Sequence, residues 1–108
     1  MTETVIAKYV RSPFTPAKKG SLKDIRADDL AAQTIRGLLK DVEINLNDIE
    51  DVVIGCANGE GEQGLNIARV ISFLANLPIT SGATTVNRLC ASSMTAVHNA
   101  AGAISINA

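Results

Sequence analysis

The sequence predicts an α/β protein with a mostly parallel sheet and helices on both faces. Short β-branched runs alternate with amphipathic segments along the chain, and this alternation is typical of strands joined by right-handed helical crossovers. The run at 51–57, DVVIGCA, is apolar after its first residue, as expected of a parallel strand covered on both faces. At 108 residues, the chain forms at most one domain.

The first half of the chain contains a predicted strand, a loop and a helix. Residues 4–10, TVIAKYV, are rich in β-branched and aromatic side chains, which favour a strand. Residues 11–26 contain two prolines and a glycine and therefore predict a loop. In residues 28–40, apolar side chains recur every three or four positions, so this segment predicts an amphipathic helix.

The second half repeats the pattern after the strand at 51–57. Residues 65–76 have apolar side chains on one helical face. This second helix is predicted to end before Pro78, because the residue preceding a proline avoids the helical conformation. Residues 84–86 predict a third strand, and a tight turn carrying Cys90 leads into a third helix.

Charge is unevenly distributed between the two halves. All eleven acidic residues lie at or before Glu62, and beyond it the only charged side chains are Arg69 and Arg88. The third helix therefore has no charged face, and helices of this kind are usually buried all round. We expect more chain, or another subunit, to cover this half.

Cys90 is the candidate nucleophile. The first turn of a helix presents unpaired N–H groups and the positive end of the helix dipole, which stabilise a thiolate. The thiolate is the reactive form of cysteine. The alternative is a small buried cysteine that only packs, since free cysteine is among the most buried residue types. Spacing alone does not separate the two, because no motif rule makes a single cysteine catalytic.

The residues around Cys90 carry a family resemblance. The segment 86–94, VNRLCASSM, strongly resembles the active-site segment of thiolases, the acetyl-CoA acyltransferases. Other segments match that family in the same order along the chain: Arg11–Phe14, Lys19–Leu22, Asp28–Leu30 and Gly61–Arg69. The match is somewhat nearer to the degradative 3-ketoacyl-CoA thiolases than to the acetoacetyl-forming ones. Related condensing enzymes share the fold, but the Asn-Arg-Leu-Cys context fits thiolases better.

The resemblance implies a thiolase-like fold in which residues 1–108 are a partial N-terminal domain. They would supply the β-α-β-α-β-α portion of one half-domain, without its fourth and fifth strands and without the C-terminal half. Cys90 would accept the acyl group while 3-ketoacyl-CoA is cleaved to acetyl-CoA and a shortened acyl-CoA, or in the reverse condensation. The expected setting is β-oxidation of fatty acids, with CoA and acyl-CoA as substrates, no permanently bound cofactor, and a homodimer or homotetramer.

The catalytic partners implied by the family are not found in this sequence. Thiolases carry a histidine in a Gly-His-Pro segment, a second cysteine in a Cys-x-Gly segment and an asparagine in an Asn-Glu segment. None of these motifs occurs here. His98 lies eight residues past Cys90, about 12 Å along a helix, so we expect it to have a structural or interface role. For Cys56 we expect a packing role, and for the 108 residues alone no turnover.

Composition argues against several other classes of protein. The net charge of −1 gives no general attraction to nucleic acid, and one Tyr, two Phe and no Trp provide little for stacking on bases. No apolar run approaches the ~20 residues of a membrane span. Two cysteines without a signal-peptide pattern predict free thiols in the reducing cytoplasm. No metal site is predicted.

Two loops allow more than one interpretation. Residues 59–64 fit the dinucleotide pattern G-x-G-x-x-G, but Glu60 and Glu62 would repel phosphates and no later carboxylate could bind a ribose. A flexible glycine-rich loop is the preferred interpretation. The loop at 11–26 holds half of the basic residues, which would attract a phosphorylated ligand such as CoA or simply solvate the surface. We favour the solvated surface.

The sequence leaves two alternatives to an enzyme open. The first is a non-catalytic thiolase-like domain that binds or carries acyl-CoA or other lipids. The second is a structural or assembly module that reuses the fold. Acyl exchange between CoA molecules would separate the enzyme from the first alternative, and an unreactive Cys90 in the folded protein would favour the second.

Overall fold

The computed structural model describes residues 2–108. They form three α-helices and two β-strands in the order α1 (Ala27–Lys40), β1 (Asp51–Gly55), α2 (Ile67–Leu74), β2 (Gly82–Val86) and α3 (Ser92–Ile106). The two strands pair in parallel, with Asp51 opposite Gly82 and Gly55 opposite Val86. The predicted α/β class with a parallel sheet is confirmed.

Helices cover both faces of this sheet, as predicted. Because successive strand residues point to opposite faces, Val52, Ile54 and Cys56 face one way, and there they pack with residues of α1 and α2. Gly55 faces the other way and lies directly against the first turn of α3. The strand ends are thus held between a two-helix layer and a single helix.

The core lies on the side of α1 and α2. Ile71 of α2 is 1% exposed and packs with Cys56 and Ile67, while Ala32 of α1 packs with Val52. Full burial of an isoleucine side chain contributes roughly 2 kcal/mol. The spacing that predicted the two helices therefore marks the faces that build the core.

The start of α1 depends on acidic side chains. Arg26 precedes the helix in an extended conformation and offers no side-chain cap. The carboxylate of Glu62 accepts a hydrogen bond from the backbone N–H of Ala27 at 3.2 Å, and Asp28 accepts one from Asp29 at 2.8 Å. Negative charge at this end is favourable because the helix dipole is positive there.

The strand predicted at 4–10 is wrong for this structure. The segment forms no strand with any part of residues 2–108, and Val5, Ile6 and Tyr9 are each at least 75% exposed. Its neighbour is α3, since the Thr4 hydroxyl donates to the carbonyl of Ala101 at 3.3 Å. β-Branched composition favours an extended backbone, but a strand also requires a partner that bonds its N–H and C=O groups.

Residues 2–108 do not bury α3 all round, so its predicted burial by more chain or another subunit stays a prediction. Its buried residues are Ser92 and Ala96, which lie on the side of the sheet. Met94, Val97 and Ile104 are 61%, 51% and 46% exposed. A single two-stranded sheet covers only one side of a helix, so the apolar residues on its other sides stay in contact with solvent.

Element ends differ from the predictions by about two residues. β1 ends at Gly55 and β2 begins at Gly82, whereas the sequence predicted strands at 51–57 and 84–86. α2 is shorter than the predicted 65–76.

None of the helices formed by residues 2–108 combines the length and hydropathy that a bilayer span requires.

Candidate active site

Cys90 lies at the carboxyl end of the parallel sheet. It follows the end of β2 by four residues and precedes α3, so the predicted strand, turn and helix around it are confirmed. Among residues 2–108 its side chain is exposed. Ligands of open α/β sheets bind outside the carboxyl ends of the strands. Cys90 is therefore placed where a substrate can reach it.

The turn before Cys90 has an unusual backbone. Leu89 has φ of 51°, in the left-handed region that non-glycine residues rarely adopt. Its N–H donates to Oδ1 of Asn87 at 2.9 Å. The other end of that amide, Nδ2, donates to the carbonyl of Ala57 at 3.3 Å. One side chain thus contacts both the turn and the loop that follows β1.

The buried hydroxyl of Ser92 also holds this turn through two hydrogen bonds. Ser92 is 3% exposed. Its Oγ accepts from the N–H of Arg88 at 2.8 Å and donates to the carbonyl of Leu89 at 2.6 Å. Ser92 therefore links the backbone before Cys90 to the backbone after it, and it is also the first residue of α3.

A glycine lets α3 approach the sheet. A Cβ added to Gly55 would lie 2.3 Å from the backbone nitrogen of Ser93, far inside any real van der Waals contact. Because Gly55 has no side chain, the first turn of α3 packs directly against the end of β1. The turn that carries Cys90 is positioned by the same contact.

The electrostatics at the start of α3 favour an anion. The N-cap residue, Ala91, has no side chain that could bond the free N–H groups, and no acidic residue lies in the first turn. The helix start therefore carries partial positive charge without a neighbouring carboxylate of its own.

The side chain of Cys56 lies on the α2 side of the sheet, and His98 lies further along α3. Cys56 is 8% exposed and packs with Ile67 and Ile71, so its predicted packing role is confirmed. His98 is exposed on α3, eight residues beyond Cys90 in the sequence. Its structural or interface role stays a prediction.

The glycine-rich loop at 59–64 contacts the start of α1 through Glu62. Residues Gly61–Gln63 form a short 3-10 turn, and α2 begins only at Ile67 because Leu65 and Asn66 both have φ of 55°. Glu62, which argued against phosphate binding, bonds the start of α1 and lies 3.8 Å from Arg26. The Glu62 carboxylate is therefore bound to the start of α1.

Arg26 and Asp28 form an ion pair next to the start of α1. Arg26 donates two hydrogen bonds to the Asp28 carboxylate, at 2.7 and 3.1 Å. These bonds hold the pKa of Asp28 below its ordinary value, although burial of the carboxyl opposes the shift. Asp28 is 3% exposed, so its charge depends on this partner.

A second polar network ties α2 to β2. The Asn66 amide donates to the carbonyl of Ala83 at 3.1 Å and accepts from the Thr85 hydroxyl at 2.6 Å. Thr85 in turn accepts from the N–H of Ala68 at 3.1 Å. These contacts were not predicted from the sequence, since they join residues far apart in the chain.

The contacts of Asn87 were not predicted either, although Asn87 belongs to the motif around Cys90. An asparagine that bonds a backbone group two residues on is a known turn pattern, so its contact with Leu89 had a sequence signal. Its contact with Ala57 had none.

Among residues 2–108, no group of three or more His, Cys, Asp or Glu side chains could hold a metal ion.

Comparison with known proteins places this parallel α/β fold in a family. The family model described as thiolase, N-terminal domain, matches residues 4–108. A 3-ketoacyl-CoA thiolase of Psychrobacter sp. (strain PRwf-1) is 44% identical over 105 residues, which are 97% of this chain and 27% of the relative. The chain belongs to the thiolase family, and the part of that family it represents is the N-terminal domain.

Two further relatives agree with this assignment. A 3-ketoacyl-CoA thiolase of Marinomonas sp. (strain MWYL1) is 48% identical over 103 residues, covering 94% of this chain and 26% of the relative. One of Shewanella sp. (strain ANA-3) is 48% identical over 105 residues, covering 96% and 27%. The chain spans about a quarter of the length of the curated relatives it matches.

Proposed function

We propose that the protein carrying this chain is an acetyl-CoA acyltransferase in which Cys90 is the acyl-accepting nucleophile. Its reaction is the cleavage of 3-ketoacyl-CoA to acetyl-CoA and a shortened acyl-CoA, or the reverse condensation. The single observation that carries the proposal is the exposed Cys90 on a bonded turn at the uncapped start of α3. Relatives named 3-ketoacyl-CoA thiolase support the substrate class.

The proposed chemistry has two stages that share one covalent intermediate. In the first, the Cys90 thiolate attacks the 3-keto carbon and forms a carbon–sulfur bond. The bond between C2 and C3 then breaks, its electron pair goes to C2, and protonation of C2 releases acetyl-CoA. In the second, the thiolate of free CoA attacks the acyl-Cys90 thioester and Cys90 leaves as a thiolate. Covalent catalysis of this kind divides one difficult step into two.

The chain supplies only part of what this mechanism needs. The proton for C2 and the activation of both thiols require an acid and a base. His98 is two helical turns from Cys90, and the Gly-His-Pro, Cys-x-Gly and Asn-Glu segments implied by the family do not occur in this sequence. We therefore propose that residues 1–108 alone do not turn over substrate, although Cys90 stays reactive.

We also propose the substrates, the cellular setting and the oligomeric state of the protein. CoA and acyl-CoA are the partners, as substrates rather than as permanently bound cofactors. The protein works in the cytoplasm in β-oxidation and assembles as a homodimer or homotetramer. The exposed apolar residues of α3, Met94, Val97 and Ile104, support the expectation that further protein covers this helix.

The test uses the full-length gene product. The protein is incubated with acyl-CoA, digested, and each cysteine is examined by mass spectrometry. We expect an acyl group on Cys90 that is lost when free CoA is added. Cys90→Ser should abolish the adduct, and Cys56→Ser is the matched control that should retain it, because the Cys56 side chain is buried against Ile67 and Ile71 of α2. A folded protein with an unmodified Cys90 would overturn the proposal and favour a binding or structural role.

A further inference from the structure

Asn87 uses both ends of its side-chain amide at the candidate site. Oδ1 accepts from the N–H of Leu89 at 2.9 Å, inside the turn that carries Cys90. Nδ2 donates to the carbonyl of Ala57 at 3.3 Å, just past the end of β1. Asn87 itself comes directly after β2. A single side chain therefore joins the ends of both strands to the nucleophile's turn.

The turn needs this support because its backbone is strained. A non-glycine residue in the left-handed region costs about 1–2 kcal/mol, and Leu89 has φ of 51°. Leu89 is also 69% exposed, so burial of its side chain does not hold it there. The conformation rests on hydrogen bonds to its own N–H and C=O groups, which come from Asn87 and Ser92.

The contacts require an amide at this position. The Leu89 N–H donates to the oxygen of this amide, and the carbonyl of Ala57 accepts from its nitrogen. A carboxylate has acceptors only, so an aspartate would turn an oxygen toward that carbonyl. A serine hydroxyl can accept from an N–H two residues on, but it is too short to reach the neighbouring loop as well.

We propose that Asn87 is a positioning residue for Cys90, acting in the acyl-transfer reaction proposed above. It fixes the sulfur relative to the end of β1 and the start of α3 without itself touching the substrate. Its effect is therefore on the rate at which Cys90 is acylated. The affinity for acyl-CoA should not depend on it.

The experiment compares Asn87→Ala, Asn87→Ser and Asn58→Ala in the full-length protein. Asn58→Ala is the matched control, since it removes an exposed amide from the adjacent loop. We expect Asn87→Ala to lower kcat by about 10- to 100-fold with an unchanged KM, because small misplacements of reacting groups cost about that much. Asn87→Ser should recover part of the loss by restoring the bond to Leu89.

A second readout does not depend on thiolase activity. The rate of Cys90 alkylation by iodoacetamide, followed by mass spectrometry, should fall severalfold in Asn87→Ala and partly recover in Asn87→Ser. If the wild-type protein transfers no acyl group, the proposed function fails while this comparison still tests the role of Asn87.

The proposal about Asn87 is overturned by either of two results. One is a kcat and an alkylation rate in Asn87→Ala that match those of Asn58→Ala. The other is a loss expressed mainly as a raised KM, which would make Asn87 a binding residue. If Asn87→Ala does not fold, Asn87→Ser carries the comparison alone, and rates in that variant equal to those of Asn58→Ala would overturn the proposal.

Discussion

Gly55 and Ser93 approach so closely that no side chain fits between them. The closest atom to a Cβ built on Gly55 is the backbone nitrogen of Ser93, at 2.3 Å. The end of β1 and the start of α3 therefore touch through their backbones. This contact holds the turn of Cys90 at the carboxyl end of the sheet and makes the site sensitive to a single methyl group.

Gly55→Ala should displace the first turn of α3. Because the clash is with backbone, relief requires a shift of the helix rather than a side-chain rotation, and overpacking of this kind costs typically about 1–3 kcal/mol. We expect a lower melting temperature and a loss of Cys90 acylation larger than the loss of stability alone explains. Gly37→Ala, at a helical glycine where a Cβ would meet no neighbour, is the control. Equal acylation in the two variants would contradict the role of this contact.

Ser92→Ala should weaken the turn and the start of α3 together. The substitution leaves the N–H of Arg88 and the C=O of Leu89 without the hydroxyl that bonds both. Loss of buried hydrogen-bond partners costs about 1–3 kcal/mol. Chemical denaturation of Ser92→Ala and of the exposed neighbour Ser93→Ala provides the measurement. If both variants lose the same stability, the buried hydroxyl has no special part in the turn.

Asp28→Asn should reduce stability at neutral pH and make it less dependent on pH. The folded-state pKa of Asp28 lies below its ordinary value because of Arg26. The stabilisation is therefore fully present above the unfolded-state pKa of about 4 and is lost as the pH falls through the folded-state pKa. Urea unfolding at neutral pH and in acid should show a difference between wild type and variant that shrinks at the lower pH. A difference that does not change with pH would mean that the Arg26 pair does not lower the pKa of Asp28.

Ile71→Ala should be among the most destabilising substitutions in this part of the molecule. Ile71 is 1% exposed, and truncation of a buried isoleucine to alanine costs about 2–5 kcal/mol. Leu65→Ala, at a residue that is 97% exposed, should change the unfolding free energy by about 0.5 kcal/mol or less. Thermal unfolding of the two variants compares them. Similar melting temperatures would mean that α2 is not the centre of the core.

Local patterns were sufficient for the parts of the fold that depend on burial. The spacing of apolar residues in α1 and the apolar run of β1 predicted both elements, because hydrophobic periodicity follows the face that is buried. The position of Cys90 between β2 and α3 was predictable from the β-branched run before it and the uncharged apolar run after it. Its exposure was not, since spacing alone did not separate a nucleophile from a packing cysteine.

Other features depend on contacts and backbone conformations that local sequence patterns do not reveal. Residues 4–10 have the composition of a strand, but no second strand bonds them among residues 2–108. The predicted start of α2 is two residues early because Leu65 and Asn66 adopt left-handed conformations, which propensity disfavours. The bond between Asn87 and Ala57 spans 30 positions in the sequence, and only the folded chain brings the two together.

The parallel pairing of β1 with β2 has a consequence for folding kinetics. Asp51 and Gly82 meet in register although about thirty residues separate them, and closing a loop of that length carries an entropic cost before any contact compensates for it. Helices of the size of α2 form within about a microsecond, whereas non-local strand pairing is slow. The turn that carries Cys90 depends on Ala57 and Gly55 at the end of β1. Cys90 is therefore expected to reach its final geometry late in folding, after the sheet has closed.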